Sequence, residues 1–290
     1  MNGWIVLDKP IGISSAAGVA KVRRLFDGAK AGHGGTLDPL ATGVLPIALG
    51  EATKVMGYIL DSNKGYRATV VWGESRNTED AEGSVTGTSP RRPDRAAILA
   101  ALPGFTGRLS QQPPAFSALK VDGQRAYAAA RAGKPVELKP REINVFALEL
   151  VDNGPNHAVL DVFCGKGTYI RALARDIALA LGTLGYLGDL RRTRAGPFVE
   201  SQAISLATLE DLSHSARLAE ALLPLETALD DIPALALDGA AAAKLRYGQT
   251  ISVSTGLKDG IVFATSDTGP VAMARAIDGT LKPIRIFNSS

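Results

Sequence analysis

The sequence predicts a mixed α/β chain closed by a small β-rich unit, and three observations carry that expectation. Strand-length apolar or β-branched runs stand at 4–7, 66–72 and 158–163. Helical repeats follow the first and last of these runs, and further short strand-like runs crowd the chain beyond residue 250.

The first run, Trp4-Ile5-Val6-Leu7, ends at Asp8-Lys9-Pro10. Ser14 or Ser15 then offers an N-cap, and Val19, Val22 and Phe26 recur at helical spacing until Gly28 stops the helix. A glycine-dense loop runs from Gly32 to Gly43, and Tyr66 through Trp72 reads as a strand. The span 88–141 is basic and marked by prolines; it holds Gln111-Gln112-Pro113-Pro114 and a helix at 126–131, and reads as an insertion on the core. Ala158 to Phe163 alternates as a strand, Gly165-Lys166-Gly167 turns, and Thr168 caps a helix whose Ile170, Leu173, Ala174, Ile177 and Leu181 share one face. The acidic, proline-marked stretch 219–236 reads as a linker, after which 251–253, 261–264 and 271–276 read as short strands. The expected division is a main unit over 1–235 and a small one over 236–290.

With 290 residues, 46% of them hydrophobic and 21% charged, the chain can bury a sizeable core. One cysteine, Cys164, excludes an internal disulfide and reads as a small buried strand residue, and three histidines do not sustain a Cys/His metal site. No apolar run approaches the roughly 18 residues of a membrane span, and the N-terminus lacks the pattern of a signal peptide, so a cytoplasmic protein is expected. The net charge of +3 is unevenly placed: residues 88–141 hold ten Lys/Arg against three Asp/Glu, while 205–240 hold one Arg against seven acids. Such asymmetry suggests one face turned toward phosphates.

The loop 32–43 invites a phosphate-binding reading, and the spacing rejects it. No Lys-Ser/Thr pair follows its last glycine, and Leu37 occupies the third glycine position of a dinucleotide fingerprint. Near Gly165-Lys166-Gly167-Thr168 the Walker phosphate-loop pattern fails twice, since Leu160 sits where its first glycine belongs and Gly167 follows the lysine. What remains is one carboxylate, Asp38, before a proline that biases its backbone toward extended geometry. Two readings stand: Asp38 caps a helix whose first residue is Pro39, or its carboxylate faces a pocket.

The string Gly32-His33-Gly34-Gly35-Thr36-Leu37-Asp38-Pro39-Leu40-Ala41-Thr42-Gly43 resembles the catalytic motif of the bacterial TruB family, the tRNA pseudouridine-55 synthases. Further blocks follow in family order: Leu7 to Ser15, Lys64-Gly65-Tyr66-Arg67, Pro113 to Lys120, Gly165 to Arg171, and Leu190-Arg191-Arg192. They span roughly the first 200 residues, and the end of the chain is more faintly similar to a PUA-like RNA-binding domain. One departure is visible, since the family usually has threonine where this chain has Gly34.

The resemblance implies an α+β pseudouridine-synthase fold, with a mixed, mostly antiparallel sheet flanked by helices, and a C-terminal PUA-like unit. It makes Asp38 the catalytic aspartate, Tyr66 the residue that stacks on the target base, and Arg171 the partner of the aspartate. His33 would help hold the RNA loop with its base flipped out. Tyr169, Leu190, Lys120, Arg131, Arg191 and Arg192 are candidate substrate contacts, the arginines toward phosphates; Lys9 is carried with them but reads mainly as structural. The reaction it implies, moving uracil from a nitrogen to a carbon attachment on ribose, oxidises and hydrolyses nothing, so no cofactor and no metal are expected. The partner implied is the T arm of tRNA, bound by a monomer. A guide-RNA-dependent synthase and an RNA chaperone without chemistry are the competing readings. The modest insertion and the absence of a Lys-rich tail argue against the first, and the second does not require Asp38.

Overall fold

The computed structural model describes residues 1–117, 120–121, 124–125, 136, 138–253 and 257–288. The strands of the main unit are β1 (Gly3–Lys9), β2 (Ala31–His33), β3 (Thr42–Leu49), β4 (Lys64–Trp72), the hairpin β5 (Glu74–Arg76) and β6 (Val85–Thr88), and β7 (Gly107–Gln111). After the short pair β8 (Lys120–Val121) and β9 (Gln124–Arg125) come β10 (Arg141–Gly154), β11 (His157–Cys164), β12 (Gly185–Ala195) and β13 (Phe198–Val199). One sheet has the order β1-β3-β12-β4-β11-β10-β7, with β2 added to β3 and β13 to β12. Every pairing in it is antiparallel except β12 with β3.

The unbroken apolar run of β1 is explained by burial on both faces. Ile5 and Leu7 join the main core, whereas Trp4 and Val6 join a second cluster with Phe198, and Trp4 packs on Phe198 at 5.2 Å between ring centroids. Helix α1 (Ser15–Leu25) is capped by Ser14, whose hydroxyl accepts from the Ala17 N–H. Helices α2 (Met56–Asp61) and α3 (Arg95–Ala101) follow, and α4 (Ile170–Ala180) lays Ile170, Leu173, Ala174 and Ile177 against Ala68, Val70, Leu160 and Val162 of the sheet. The cap of α4 is Tyr169, not Thr168, whose hydroxyl donates instead to the Gly165 carbonyl.

Two expectations about organisation need correction. Residues 95–111 are not part of an insertion: Ile98 and Leu102 enter the main core, and β7 is the edge strand paired with β10. The insertion can therefore begin only after Gln111, and the helix expected at 126–131 lies outside the described residues. Nor is 219–236 a free linker. It passes α5 (Leu206–His214) and lies against β1, where Trp4 and Leu223 exchange backbone hydrogen bonds of 2.8 Å and the Trp4 indole donates to the Leu225 carbonyl at 3.0 Å.

The final unit is a five-stranded sheet in the order β14 (Ala234–Ala236), β16 (Gly260–Ser266), β17 (Gly269–Ile277), β18 (Thr280–Ile286) and β15 (Ile251–Ser252). Helix α6 (Gly239–Arg246) covers it with Ala242 and Leu245. Phe263, Met273 and Phe287 share the second core with Trp4 and Val44, and Lys54 donates to the Ile286 carbonyl at 2.8 Å. The small sheet is thus packed onto the back of β1 and β3. Among the described residues no helix is long and apolar enough to cross a membrane.

Candidate active site

The loop between β2 and β3 carries Asp38, and its neighbours on either side are pinned. Ser15, buried at the start of α1, accepts from the Leu37 N–H at 2.7 Å and donates to the Leu37 carbonyl at 3.0 Å. The Pro39 carbonyl accepts from the Gly12 N–H at 2.9 Å and from the Lys9 ammonium at 3.4 Å. The helix-cap reading of Asp38 fails because residues 39–40 form a turn and no helix follows. Its side chain, 39% exposed, faces the Arg171 guanidinium at 3.0 Å.

Arg171 lies in the first turn of α4 and is 7% exposed. One of its terminal nitrogens serves Asp38 and the Phe116 carbonyl, at 2.9 Å for the latter. The other donates to the Thr78 carbonyl at 3.0 Å and stands 3.5 Å from the Asp80 carboxylate. Asp80 is itself buried, accepting from the Thr78 hydroxyl and the Glu82 N–H. Two carboxylates therefore flank one planar cation: the buried one fixes it, and the half-exposed one meets solvent.

Tyr66 stands on β4, between Val162 of β11 and Arg192 of β12. Burial pushes its phenol up; Arg192 opposes this by its charge and a hydrogen bond to the hydroxyl, and the Asp38 charge adds to the rise. Burial likewise raises the Tyr169 phenol, which also feels Asp38. Asp38 is thus in contact with Arg171 and within Coulombic range of Tyr66 and Tyr169. Leu190 lies opposite Ala68 and packs with Tyr66 in the main core.

Three candidates have other tasks. Arg192 cannot reach a phosphate, being 1% exposed: it donates to Val44 O at 2.7 Å, Gly35 O at 3.1 Å and Thr36 O at 3.4 Å. A buried cation is tolerated only when its donors are satisfied; here they bind β3 at Val44 and the loop bearing Asp38 at Gly35 and Thr36. Lys9 is fully buried and structural, donating to Pro10 O at 3.0 Å and Ile13 O at 2.8 Å besides Pro39; burial pulls its amine down to about 8, with Asp38 opposing. Arg191 is partly exposed but already paired with Asp8 at 3.0 Å and with Glu200. Lys120 sits on β8, opposite Arg125, and Arg131 lies outside the described residues.

His33 is half-buried on β2 opposite Ile47; among the described residues its Nδ1 has no hydrogen-bond partner, and burial together with Arg192 lowers its pKa, favouring the neutral ring. The glycine after it has a steric explanation. A Cβ at Gly34 would collide with the branched side chain of Ile59, so Ile59 fills the space a threonine would need. The strand is still ordered, since the Gly34 N–H donates to Pro46 O at 2.8 Å. Gly34→Thr is expected to cost about 1–3 kcal/mol of stability by overpacking. Ile59→Leu, which removes the branch at Cβ, should recover part of that cost in the double variant. Denaturant unfolding measures both, and strictly additive losses would show that the two positions do not compete for space. Gly43, by contrast, is required by φ +96° and by the close parallel approach of the Arg192 backbone.

Sequence reasoning missed Asp80 and the loop-holding roles of Ser15 and Arg192. Asp80 lies in the acidic run Glu79-Asp80, whose composition separates it in no way from a solvated turn. Cys164 is buried, and its thiol is pushed up to about 11 by burial, which suits the expected inert strand residue.

Residues 23–170 match the N-terminal domain of the TruB family of pseudouridylate synthases, and residues 171–230 match the tRNA pseudouridylate synthase B C-terminal domain. The chain belongs to the TruB family. It is 50% identical to the tRNA pseudouridine synthase B of Caulobacter vibrioides over 298 residues, covering 99% of this chain and 96% of that one. It is 52% identical to the protein of the same name from Bradyrhizobium diazoefficiens, covering 99% and 86%. Among solved structures, an H/ACA RNP bound to a substrate RNA containing 2'-deoxyuridine contains a chain that superposes with a TM-score of 0.77 at 26% identity, covering 99% of this chain and 85% of that one. The mixed, mostly antiparallel sheet with a C-terminal β unit is thus the fold of this family's pseudouridine synthases.

Proposed function

We propose that this TruB-family chain converts uridine to pseudouridine in tRNA, at position 55 of the T arm, with Asp38 as the catalytic carboxylate. The observation that carries the reading is the Asp38 carboxylate held 3.0 Å from Arg171, half open to solvent and electrostatically close to Tyr66 and Tyr169. The names of the relatives at about half identity support tRNA as the substrate. It would act in the cytoplasm as a monomer, without metal or cofactor, and its small C-terminal unit, expected over 236–290, would add contacts to RNA.

The chemistry fits these groups. The bond from ribose to the uracil nitrogen breaks, the base turns, and a bond from ribose to the ring carbon replaces it. The carbon's proton leaves and the nitrogen gains one, so atoms and electrons balance. A carboxylate can act on such a nucleotide as nucleophile or base, and Arg171 keeps it oriented. The target must first leave its stack, at a cost of a few kcal/mol; an aromatic ring such as Tyr66 returns about 1–3 kcal/mol by stacking on it. His33, at the mouth of the same loop, would hold the RNA loop open, and cations of the 112–140 segment would contact phosphates.

The test is the purified chain with an unmodified tRNA transcript and nothing else. The expected product is pseudouridine at position 55 alone. Conversion only with added guide RNA and protein partners would favour the guide-dependent reading. Binding and refolding of tRNA with no conversion would favour the chaperone.

A further inference from the structure

Gln111, the last residue of β7, is buried at 3% exposure, and both ends of its side-chain amide are engaged. Its Oε1 accepts from the Tyr169 N–H at 2.9 Å, and its Nε2 donates to the Tyr169 carbonyl at 3.1 Å. Tyr169 has extended backbone (φ −97°, ψ 110°), its own side chain does not cap α4, and its carbonyl also starts the helix by accepting from the Leu173 N–H at 3.0 Å. The helix leaves the Tyr169 N–H without an intrahelical partner and one lone pair of its carbonyl open, and buried main-chain groups need partners. The Gln111 amide supplies the same donor and acceptor a strand would. It therefore fixes the peptide from which the Tyr169 ring departs, and Arg171 follows two residues later.

The next residue works outward. Gln112 Nε2 donates to Leu138 O at 2.6 Å, joining the two limbs of the 112–140 segment, and Gln112 O accepts from Arg175 at 2.9 Å. Arg175 and Arg171 are one helical turn apart, so the edge strand, the root of the basic segment and the cationic face of α4 are tied together at one point.

We propose that Gln111 is a positioning residue: it sets the α4 entry so that Tyr169 and the Arg171–Asp38 pair meet the substrate in reactive geometry. A purely structural glutamine would matter only through stability. The inference rests on the tRNA reading above. Failure of the native chain to convert tRNA would sink that reading; native conversion with unaffected Gln111 variants would sink only this one.

The experiment measures single-turnover conversion, tRNA binding and thermal unfolding for Gln111→Ala and Gln111→Glu. Gln111→Ala is expected to lose roughly 10- to 100-fold in single-turnover rate, because small displacements of reacting groups cost that much, with tRNA binding nearly unchanged. Gln111→Glu keeps the shape. Ionised, its carboxylate accepts from the Tyr169 N–H but opposes the Tyr169 carbonyl; protonated, it donates there and restores both bonds. Burial favours the protonated form, so its rate relative to the native chain should rise several-fold as pH falls from about 8 to about 6. A native rate in Gln111→Ala overturns the proposal. So does a Gln111→Glu profile parallel to the native one, and that comparison decides the matter if Gln111→Ala does not fold.

Discussion

Asp38→Asn is expected to abolish uridine conversion while leaving the fold and tRNA binding in place. The substitution keeps the side chain's size and its contact distance to Arg171 but removes the charge that acts on the nucleotide. Losing the group that performs acid–base or nucleophilic work costs on the order of 10³-fold or more in rate. The stability cost should stay within about 1 kcal/mol, because the carboxylate is 39% exposed and its attraction to Arg171 is screened by solvent. Release of tritium from tRNA labelled at the uracil ring carbon follows the reaction directly, since the proton leaves when the new bond forms. Turnover near the native rate in the variant would remove Asp38 from the mechanism.

Arg171 should show the second largest effect, and two replacements separate its roles. Arg171→Met leaves Asp80 buried beside no cation, a loss of about 3–5 kcal/mol of stability by the usual cost of breaking a buried pair. Arg171→Lys keeps the charge and most of the stability. It cannot keep the geometry, because one ammonium cannot serve Asp38, Asp80, Thr78 O and Phe116 O at once. Conversion should therefore fall roughly 100-fold or more in both variants, although only the methionine variant unfolds markedly earlier in denaturant. If lysine restored the native rate, charge alone would suffice and the four-way orientation would have no catalytic purpose.

The candidate site residues were legible through a family resemblance that is carried by short local patterns. The loop 32–43, the strand start at Tyr66 and the turn before Arg171 each announce a rigid or permissive backbone within a few residues. Helix α1 and the apolar face of α4 were equally plain, since a 3.6-residue repeat is a local property. Reading 95–111 as insertion failed for the opposite reason. Ile98, Leu102 and β7 belong to the core through partners some 40 residues away, and basic composition hid that. The same held for 219–236, whose acidic surface conceals Leu225, Ala228 and Leu229 packed behind β1.

Arg192 is the clearest case. Beside Arg191 and Arg194 in the sequence it looks like one of three cations for phosphate, and nothing local distinguishes them. Alternation along β12 turns Arg192 inward, to the carbonyls of Gly35, Thr36 and Val44, and leaves Arg191 with Asp8 and Glu200. The sequence by itself determined the local helical and strand periods and, through the family resemblance, nominated the Asp38 carboxylate, the Arg171 cation and the Tyr66 ring as site residues. Only the tertiary structure decided which charges are consumed in holding that carboxylate, among them Lys9, Arg192 and the Asp80 side of Arg171. Side-chain type and spacing are written along the chain, but burial and partner choice arise where strands distant in sequence are brought edge to edge.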